Sequence, residues 1–257
     1  KFLKLTDYTK IKMPERKVAI VAPEEEDARK KLFASFVLCK MAKMEPDVIR
    51  PEDDFQQYKV LILPSVAGFS PLRRSNWNRM KEFIRNGNTI FLSSDGASLT
   101  DLREVFGIKV MGRKMEKAEE IKINFKGAEI KVKSAKEFWG MDIKDERAKV
   151  IGTTANQPVI FENTYGKGTA IFCRYPMERY LIEDADTINT EMFKVYQYIR
   201  EKAGIESPVI KASPFTEVVK MPYGDGELCI LVNHGNNPDR VEIKGRAGKT
   251  IVETVEN

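Results

Sequence analysis

The sequence predicts an α/β domain followed by a small all-β domain. Over residues 17–107, near-continuous apolar strands alternate with amphipathic helices. Beyond Ser207–Pro208, a linker-like dipeptide, only short strands separated by Gly, Asn and Pro turns follow. With 257 residues, the chain is long enough for one large domain or two modest ones, each with its own core.

Three apolar runs in the first part are typical of buried strands. Lys17–Val21 and Lys59–Leu63 are both followed by a proline, at Pro23 and Pro64, and Thr89–Leu92 is the third run. A shorter strand is predicted at 47–50. Strands that are apolar on both faces and alternate with helices indicate a parallel sheet covered by helices on both sides.

Helices are predicted between and after these strands. The first has apolar residues at Ala28, Leu32, Phe36 and Cys39, and the acidic cluster Glu24–Asp27 before it suits a helix N-terminus. The second is capped by Ser70–Pro71, buries Trp77, Met80, Phe83 and Ile84, and ends at Asn86–Gly87. A short third helix opens at 98–101 and ends near Gly107, and a later one presents Ile188, Met192, Val195 and Ile199 before Gly204.

Alternating patterns predict antiparallel strands in the rest of the chain. Two hairpins are expected, Ile121–Phe125 with Glu129–Val132, and Pro158–Asn163 with Thr169–Arg174. The last part contains four short strands, at Phe215–Lys220, Glu227–Asn233, Arg240–Lys244 and Thr250–Thr254. We expect them to form a small antiparallel sandwich.

Composition excludes several classes of protein. No apolar run is long enough to span a bilayer, so no membrane partner is expected, and the net charge of +5 is spread without the basic stripe that nucleic-acid binding needs. Charged residues make up 32% of the chain, which resembles thermophile proteins. The chain begins without Met and without a signal-like segment, which suggests a piece of a longer protein. Its compartment stays open, with the cytoplasm the preferred expectation.

Cysteine and histidine usage argues against a metal site. Cys39, Cys173 and Cys229 lie in apolar stretches and form no CxxC pair, so we expect free thiols that pack as small hydrophobic residues. With a single histidine, His234, a zinc centre is not expected. No cofactor and no metal are predicted.

Four segments of the sequence are candidate sites. Ser93–Gly96 follows the third strand and half-matches a nucleophile elbow around Ser94, but the only histidine lies in the other domain, so a polar loop is preferred. Tyr165–Gly168 matches neither phosphate-binding motif and is read as a hairpin turn. His234 is read as a turn residue. Phe138–Trp139 lies in a stretch without clear periodicity, which predicts a loop. Trp139 and Phe138 are the candidate carbohydrate contacts.

Four segments carry a resemblance to a known family. Tyr58–Pro64, Phe83–Ile90, Pro158–Ile171 and the terminal strand Leu228–His234 are similar to the C-terminal half of thermophilic β-galactosidase-type glycoside hydrolases. In that family a catalytic (β/α)8 barrel is followed by a class I amidotransferase-like, flavodoxin-like trimerisation domain of three layers and then by a small β domain.

The resemblance implies a division of the chain and a function. Residues 1–14 would connect to a missing N-terminal region, 15–205 would form the amidotransferase-like α/β domain, and 206–257 the small β domain. The chain would be a non-catalytic oligomerisation and accessory region of a hydrolase of β-linked sugars. It would self-associate as a dimer or trimer, with both catalytic carboxylates in a barrel supplied in cis or by a separate chain.

Two alternatives from other classes stay open. One is a stand-alone amidotransferase-like hydrolase that uses Ser94 or Asp95. The other is a carbohydrate-binding module that uses the small β domain or Trp139.

Overall fold

The chain folds into two compact units, Arg16–Glu206 and a smaller one that combines the stretch up to Glu15 with the stretch from Ser207. The structure, a computed structural model, describes residues 7–22, 28–68, 72–96, 102–117, 120–133, 137–155, 157–184, 188 and 191–243. In the smaller unit, Ile11 bridges to Tyr223 and the Lys12 N–H donates to the Pro222 carbonyl at 3.0 Å. Residues 7–15 are therefore part of that unit, and a connection from residues 1–14 to a preceding region stays a prediction.

The larger unit is built on one nine-stranded sheet. Its strands and those of a separate ribbon are β1 (Val18–Val21), β2 (Pro46–Ile49), β3 (Val60–Val66), β4 (Thr89–Ser94), β5 (Ile108–Glu116), β6 (Glu120–Phe125), β7 (Ala128–Lys133), β8 (Phe138–Asp145), β9 (Lys149–Thr154), β10 (Gln157–Tyr165) and β11 (Gly168–Cys173). The sheet order is β2-β1-β3-β4-β11-β10-β9-β6-β7. The first five strands pair in parallel and the remaining four are antiparallel. Strands β5 and β8 form the separate two-stranded antiparallel ribbon.

Helices pack on both faces of the sheet. They are α1 (Ala28–Met41), α2 (Arg74–Arg85), α3 (Leu102–Phe106), α4 (Met177–Glu183) and α5 (Phe193–Lys202). Successive side chains of a strand point to opposite faces. In β4, Ile90 and Leu92 join the core beneath α2 and α3, whereas Phe91 meets Tyr196 of α5 edge to face at 5.7 Å. Helices α1, α4 and α5 contact one another on that second face.

Most of the predicted elements are confirmed, and the differences have physical causes. Strand β3 does not stop at Pro64 but continues to Val66, because a register shift against β4 and a positive φ at Ser65 let the chain bend within the sheet. Helix α5 begins only at Phe193, so Ile188 precedes it. Strands β5, β8 and β9 and helix α4 were not predicted, since none has clean periodicity. Glu24–Asp27, Ser70–Pro71, 98–101 and Thr250–Thr254 lie outside the described residues.

The smaller unit contains two short antiparallel pairs. Strand β12 (Val209–Lys211) pairs with β15 (Glu242–Ile243), and β13 (Thr216–Tyr223) pairs with β14 (Gly226–Asn233). The strands predicted at 215–220, 227–233 and 240–244 are thus present with shifted ends. Within the described residues of this unit, Val209, Thr216 and Val218 are the buried ones.

Candidate functional site

Polar side chains gather where β3 and β4 end, at the carboxyl edge of the parallel strands. This edge is where open α/β sheets place their sites. Two groups of residues meet there. One is a buried cluster around Glu178, which we call the Glu178 cluster (Ser65, Ser93, Glu178 and Tyr196), and the other is a surface group around Trp139.

Glu178 is a fully buried carboxylate that accepts hydrogen bonds from three hydroxyl groups. Ser65 Oγ donates to Oε2 at 2.7 Å, Ser93 Oγ donates to the same oxygen, and the Tyr196 hydroxyl donates to Oε1 at 2.6 Å. All four residues are 0% exposed. Burial, and then the charge of Glu178, raise the pKa of Tyr196 well above its ordinary value, so this hydroxyl stays protonated and able to donate.

Ser65 ties the backbone of three elements to this carboxylate. Its φ of 43° is unusual for a residue with a side chain. Its N–H donates to Ser93 Oγ at 2.6 Å, and its Oγ accepts from the Arg179 N–H at 3.1 Å. Lys31 of α1 donates to its carbonyl at 3.1 Å. The cluster therefore fixes the ends of β3 and β4 against α4.

The geometry does not support a nucleophile at Ser94. Ser94 is 0% exposed, and Asp95 is held in an ion pair. The chain's single histidine, His234, belongs to the other unit, where its Nε2 lies 3.1 Å from a Glu217 carboxylate oxygen. A serine nucleophile must be reachable by its substrate, and the Ser94 side chain is buried. The Glu178 cluster is a packing feature, since no part of it is open to a substrate.

The surface group is organised by Arg179. Its Nη1 donates to both oxygens of Asp95 at 2.7 and 2.6 Å, its Nε to Glu183 at 2.8 Å, and its Nη2 to the Glu137 carbonyl at 2.7 Å. Burial alone would lower the pKa of the Arg179 guanidinium, but the carboxylates of Asp95 and Glu183 raise it above its ordinary value. This arginine joins the end of β4, α4 and the residue before β8 through fixed, charged hydrogen bonds.

Trp139 lies beside this arginine network and is 48% exposed. It covers Gly96, whose φ is +81° and where an added Cβ would come within 2.8 Å of the Trp139 Cβ. The predicted loop at Phe138–Trp139 is wrong, because both residues begin strand β8. Alternation along the strand sends Phe138 inward, where it is 1% exposed and packs edge to face on Tyr175 and Tyr180. Phe138 is therefore a core residue, and Trp139 is the one of the two that faces outward.

A recess of about 480 Å³ lies along the inner side of the ribbon. Its lining includes Arg113, Lys114, Asp142 and the buried Arg174, whose Nη2 lies 3.3 Å from Glu116. Gly140 leaves the space that this glutamate side chain occupies. The lining mixes cations and carboxylates that neutralise one another, as in a solvated polar surface.

The remaining residues singled out in the sequence have structural roles. Tyr165–Gly168 is the turn between β10 and β11, as predicted. Cys39 and Cys173 are buried free thiols, and burial raises the pKa of Cys173 to about 12, whereas Cys229 is only half-buried. Within the described ranges, no group of three or more His, Cys, Asp or Glu side chains is arranged to hold a metal ion. None of the helices in those ranges is long and apolar enough to cross a membrane.

The fold and these sites define a mixed α/β protein in which the Glu178 cluster, at the edge of the sheet, has a packing role. Comparison with known proteins makes the class specific: residues 24–185 match the family described as the β-galactosidase trimerisation domain. The chain belongs to this family. The resemblance drawn from the sequence is thereby confirmed, and the chain is a trimerisation-domain region without the catalytic barrel.

The relatives are β-galactosidases that extend well beyond this chain. It is 24% identical over 213 residues to β-galactosidase bgaB from Geobacillus kaustophilus, a match that covers 74% of this chain and 28% of the relative. The Geobacillus relatives fit the thermophile-like composition. The chain thus spans between a quarter and a third of the curated relatives' length.

Solved structures share the fold across different hydrolases. A catalytic mutant of Gan42B, a GH42 β-galactosidase from G. stearothermophilus, has a TM-score of 0.64 at 21% identity, over 86% of this chain and 35% of that one. An α-L-fucosidase from Paenibacillus thiaminolyticus has a TM-score of 0.63 at 12% identity, over 90% of this chain and 40% of that one. At these identities the likeness concerns the fold alone.

Proposed function

We propose that this chain holds together the subunits of a glycoside hydrolase that acts on β-linked galactosides, with catalysis supplied by a region outside the chain. The observation that carries the proposal is the match of residues 24–185 to a trimerisation domain. The β-galactosidase relatives support the substrate class. The Glu178 cluster supports it too, because Glu178, the one fully buried carboxylate among the described residues, is used in packing.

The first test is the native mass of the chain, measured by light scattering after size exclusion at several concentrations. We expect a species of three times the 29.4 kDa chain mass. The same preparation should not hydrolyse a chromogenic β-galactoside. A strict monomer at every concentration would contradict the assembly function, and hydrolysis by the purified chain would contradict the non-catalytic role.

A second candidate function is a carbohydrate contact at Trp139. Three features favour it: the ring is half-exposed, it packs directly on Gly96, and the charged hydrogen bonds of Arg179 hold its surroundings in place. A tryptophan face packs well on the apolar C–H side of a sugar ring. The β-galactosidase relatives favour galactose units as the ligand.

Fluorescence can test this contact cleanly, since the chain has two tryptophans and Trp77 is only 3% exposed. We expect titration with a β-linked galacto-oligosaccharide to shift the emission of the native chain and to leave Trp139→Ala unchanged. Met115→Ala, which removes the exposed neighbour across the ribbon and keeps the tryptophan, should still respond. No response of the native chain, or the same response in Trp139→Ala, would contradict the sugar contact.

We also propose that the larger unit has a class I amidotransferase-like core, that the smaller unit is a small sandwich, and that the protein is cytoplasmic. The parallel strand order β2-β1-β3-β4-β11 corresponds to the flavodoxin-like order 2-1-3-4-5, which supports a class I amidotransferase-like core in three layers. The two short pairs of the smaller unit support a small sandwich. All three cysteines are free thiols, which favours a reducing compartment such as the cytoplasm.

A further inference from the structure

The large apolar side chains exposed on the larger unit fall into two separate groups. Among its described residues, Phe33 (69% exposed) and Phe36 (37%) lie on α1, and we call them the helix patch. Met111 (56%), Met115 (47%) and Trp139 lie on the ribbon of β5 and β8, and we call them the ribbon patch. Apart from these, Val48 on the edge strand β2 is the one further exposed large apolar residue in the described part of the unit.

The two patches lie on different elements of the unit. Phe33 and Phe36 are three residues apart on α1, so they share one side of the helix. Met115 and Trp139 face each other directly across the ribbon, which places them on one face. Strand β5 of the ribbon contacts α3, whereas α1 packs with α4 and α5. The helix patch and the ribbon patch are therefore two separate surfaces, one on α1 and one on the ribbon.

A closed ring of three identical subunits requires two different surfaces. In a two-fold dimer one patch meets itself, but in a three-fold ring each contact joins one surface of a subunit to a different surface of the next. A trimerisation domain must therefore present a pair of complementary patches. Solvent-exposed phenylalanine and methionine in such numbers mark a surface that is covered in the assembly.

The two patches are also chemically complementary. Methionine sulfur makes favourable contacts with aromatic rings, which the helix patch offers through its two phenylalanines. The helix patch is flanked by the exposed cations Arg29 and Lys30, and the ribbon patch contains the indole ring of Trp139. A cation placed over that ring would add to the contact.

We propose that the helix patch of one copy docks on the ribbon patch of the next copy, in a head-to-tail interface that closes as a trimer. The inference rests on the proposed assembly function and names the surfaces that perform it. Each subunit then buries its phenylalanines against its neighbour's methionines, and both patches are covered when the ring closes.

Two variants separate the surfaces: Phe33→Glu with Phe36→Glu, and Met111→Glu with Met115→Glu. The second keeps Trp139, so that only the two methionines of the ribbon patch change. Burial of two such side chains is worth enough that either variant should associate at least about a hundredfold more weakly than the native chain. Sedimentation velocity over a concentration series measures this, and we expect a monomer from each variant.

Mixing the two variants is the decisive measurement. The helix-patch variant still has an intact ribbon patch, and the ribbon-patch variant an intact helix patch, so a head-to-tail interface predicts a one-to-one dimer that grows no further. An isologous interface predicts no rescue. As a control, Lys122→Glu with Asn124→Glu introduces two glutamates at exposed positions of β6, with a charge change one unit larger than in the test pairs, and should leave the native mass unchanged.

The outcomes are distinct. A monomeric mixture, or a trimer that persists in either variant, overturns the interface while the assembly function stands. Monomeric native chain overturns both. Circular dichroism checks that each variant is folded, and if one is not, the pairs with Gln in place of Glu repeat the test with a smaller perturbation.

Discussion

Replacing Glu178 with alanine is expected to lower the free energy of unfolding by about 3–5 kcal/mol. The carboxylate is fully buried and accepts hydrogen bonds from Ser65, Ser93 and Tyr196. Without it, three buried hydroxyl groups lose their acceptor, and each unpaired group costs about 1–3 kcal/mol. The ends of β3 and β4 would also lose their link to α4.

Urea denaturation of the variants measures this cost. Glu178→Gln keeps the volume and one acceptor oxygen, so we expect a loss of about half that of the alanine variant, of order 2 kcal/mol. Glu201→Ala, at an exposed position of α5, is the matched control and should change stability by less than about 0.5 kcal/mol. If Glu178→Ala were as stable as Glu201→Ala, the cluster would not be what fixes the sheet edge.

A double-mutant cycle tests whether the cluster acts as a unit. Tyr196→Phe removes one donor and leaves the ring against Phe91. Because Tyr196 and Glu178 share a hydrogen bond, the effects of Tyr196→Phe and Glu178→Gln should not add. Additive losses would show that the two residues stabilise the fold independently.

The elements that the sequence predicted well are those in which pattern and packing agree. In α2, the face of Trp77, Met80, Phe83 and Ile84 is buried as expected, because one stripe of a helix meets one sheet. The hairpin of β6 and β7 alternates buried and exposed residues along both strands. The local periodicity of apolar residues is enough to predict such elements.

The candidate site depended on contacts that no local pattern encodes. Glu178 meets Ser65 and Ser93 from segments about a hundred residues away in the chain, so neither spacing nor period could join them. The ribbon was not predicted because the buried residues of β8 do not alternate regularly. Phe138 and Gly140 are buried with Trp139 exposed between them, but Met141, directly after Gly140, is buried as well. A signal was present in hindsight: Glu178 stands among apolar and aromatic residues just after a buried strand, which is rare for a carboxylate unless it is paired.

Replacing Gly168 with alanine is expected to destabilise the larger unit by about 3 kcal/mol, or to prevent its folding. Gly168 opens β11 directly after the turn from β10, and this turn docks on the end of α2. An added Cβ would lie closer than 3.0 Å to the carbonyl oxygens of Ile84 and Asn88. Both obstacles are backbone atoms that already accept hydrogen bonds. The Asn88 carbonyl accepts the Thr169 N–H at 3.2 Å, next to the pairing of β4 with β11, and the Ile84 carbonyl accepts the Gly87 N–H at 2.9 Å at the end of α2.

Alanine substitutions at two other glycines of the unit distinguish the cost of a steric clash from the cost of backbone strain. Gly112→Ala meets no atom within 4 Å and has no positive φ, so its stability should stay within about 0.5 kcal/mol of the native chain. Gly127→Ala has equal space but a φ of +85°, so we expect about 1–2 kcal/mol from backbone strain. Urea denaturation followed by tryptophan fluorescence reports on all three, because both tryptophans lie in this unit. A Gly168→Ala variant no less stable than Gly127→Ala would mean that α2 and the turn can separate, and that the close approach of strand, helix and turn is not what positions β11 at the centre of the sheet.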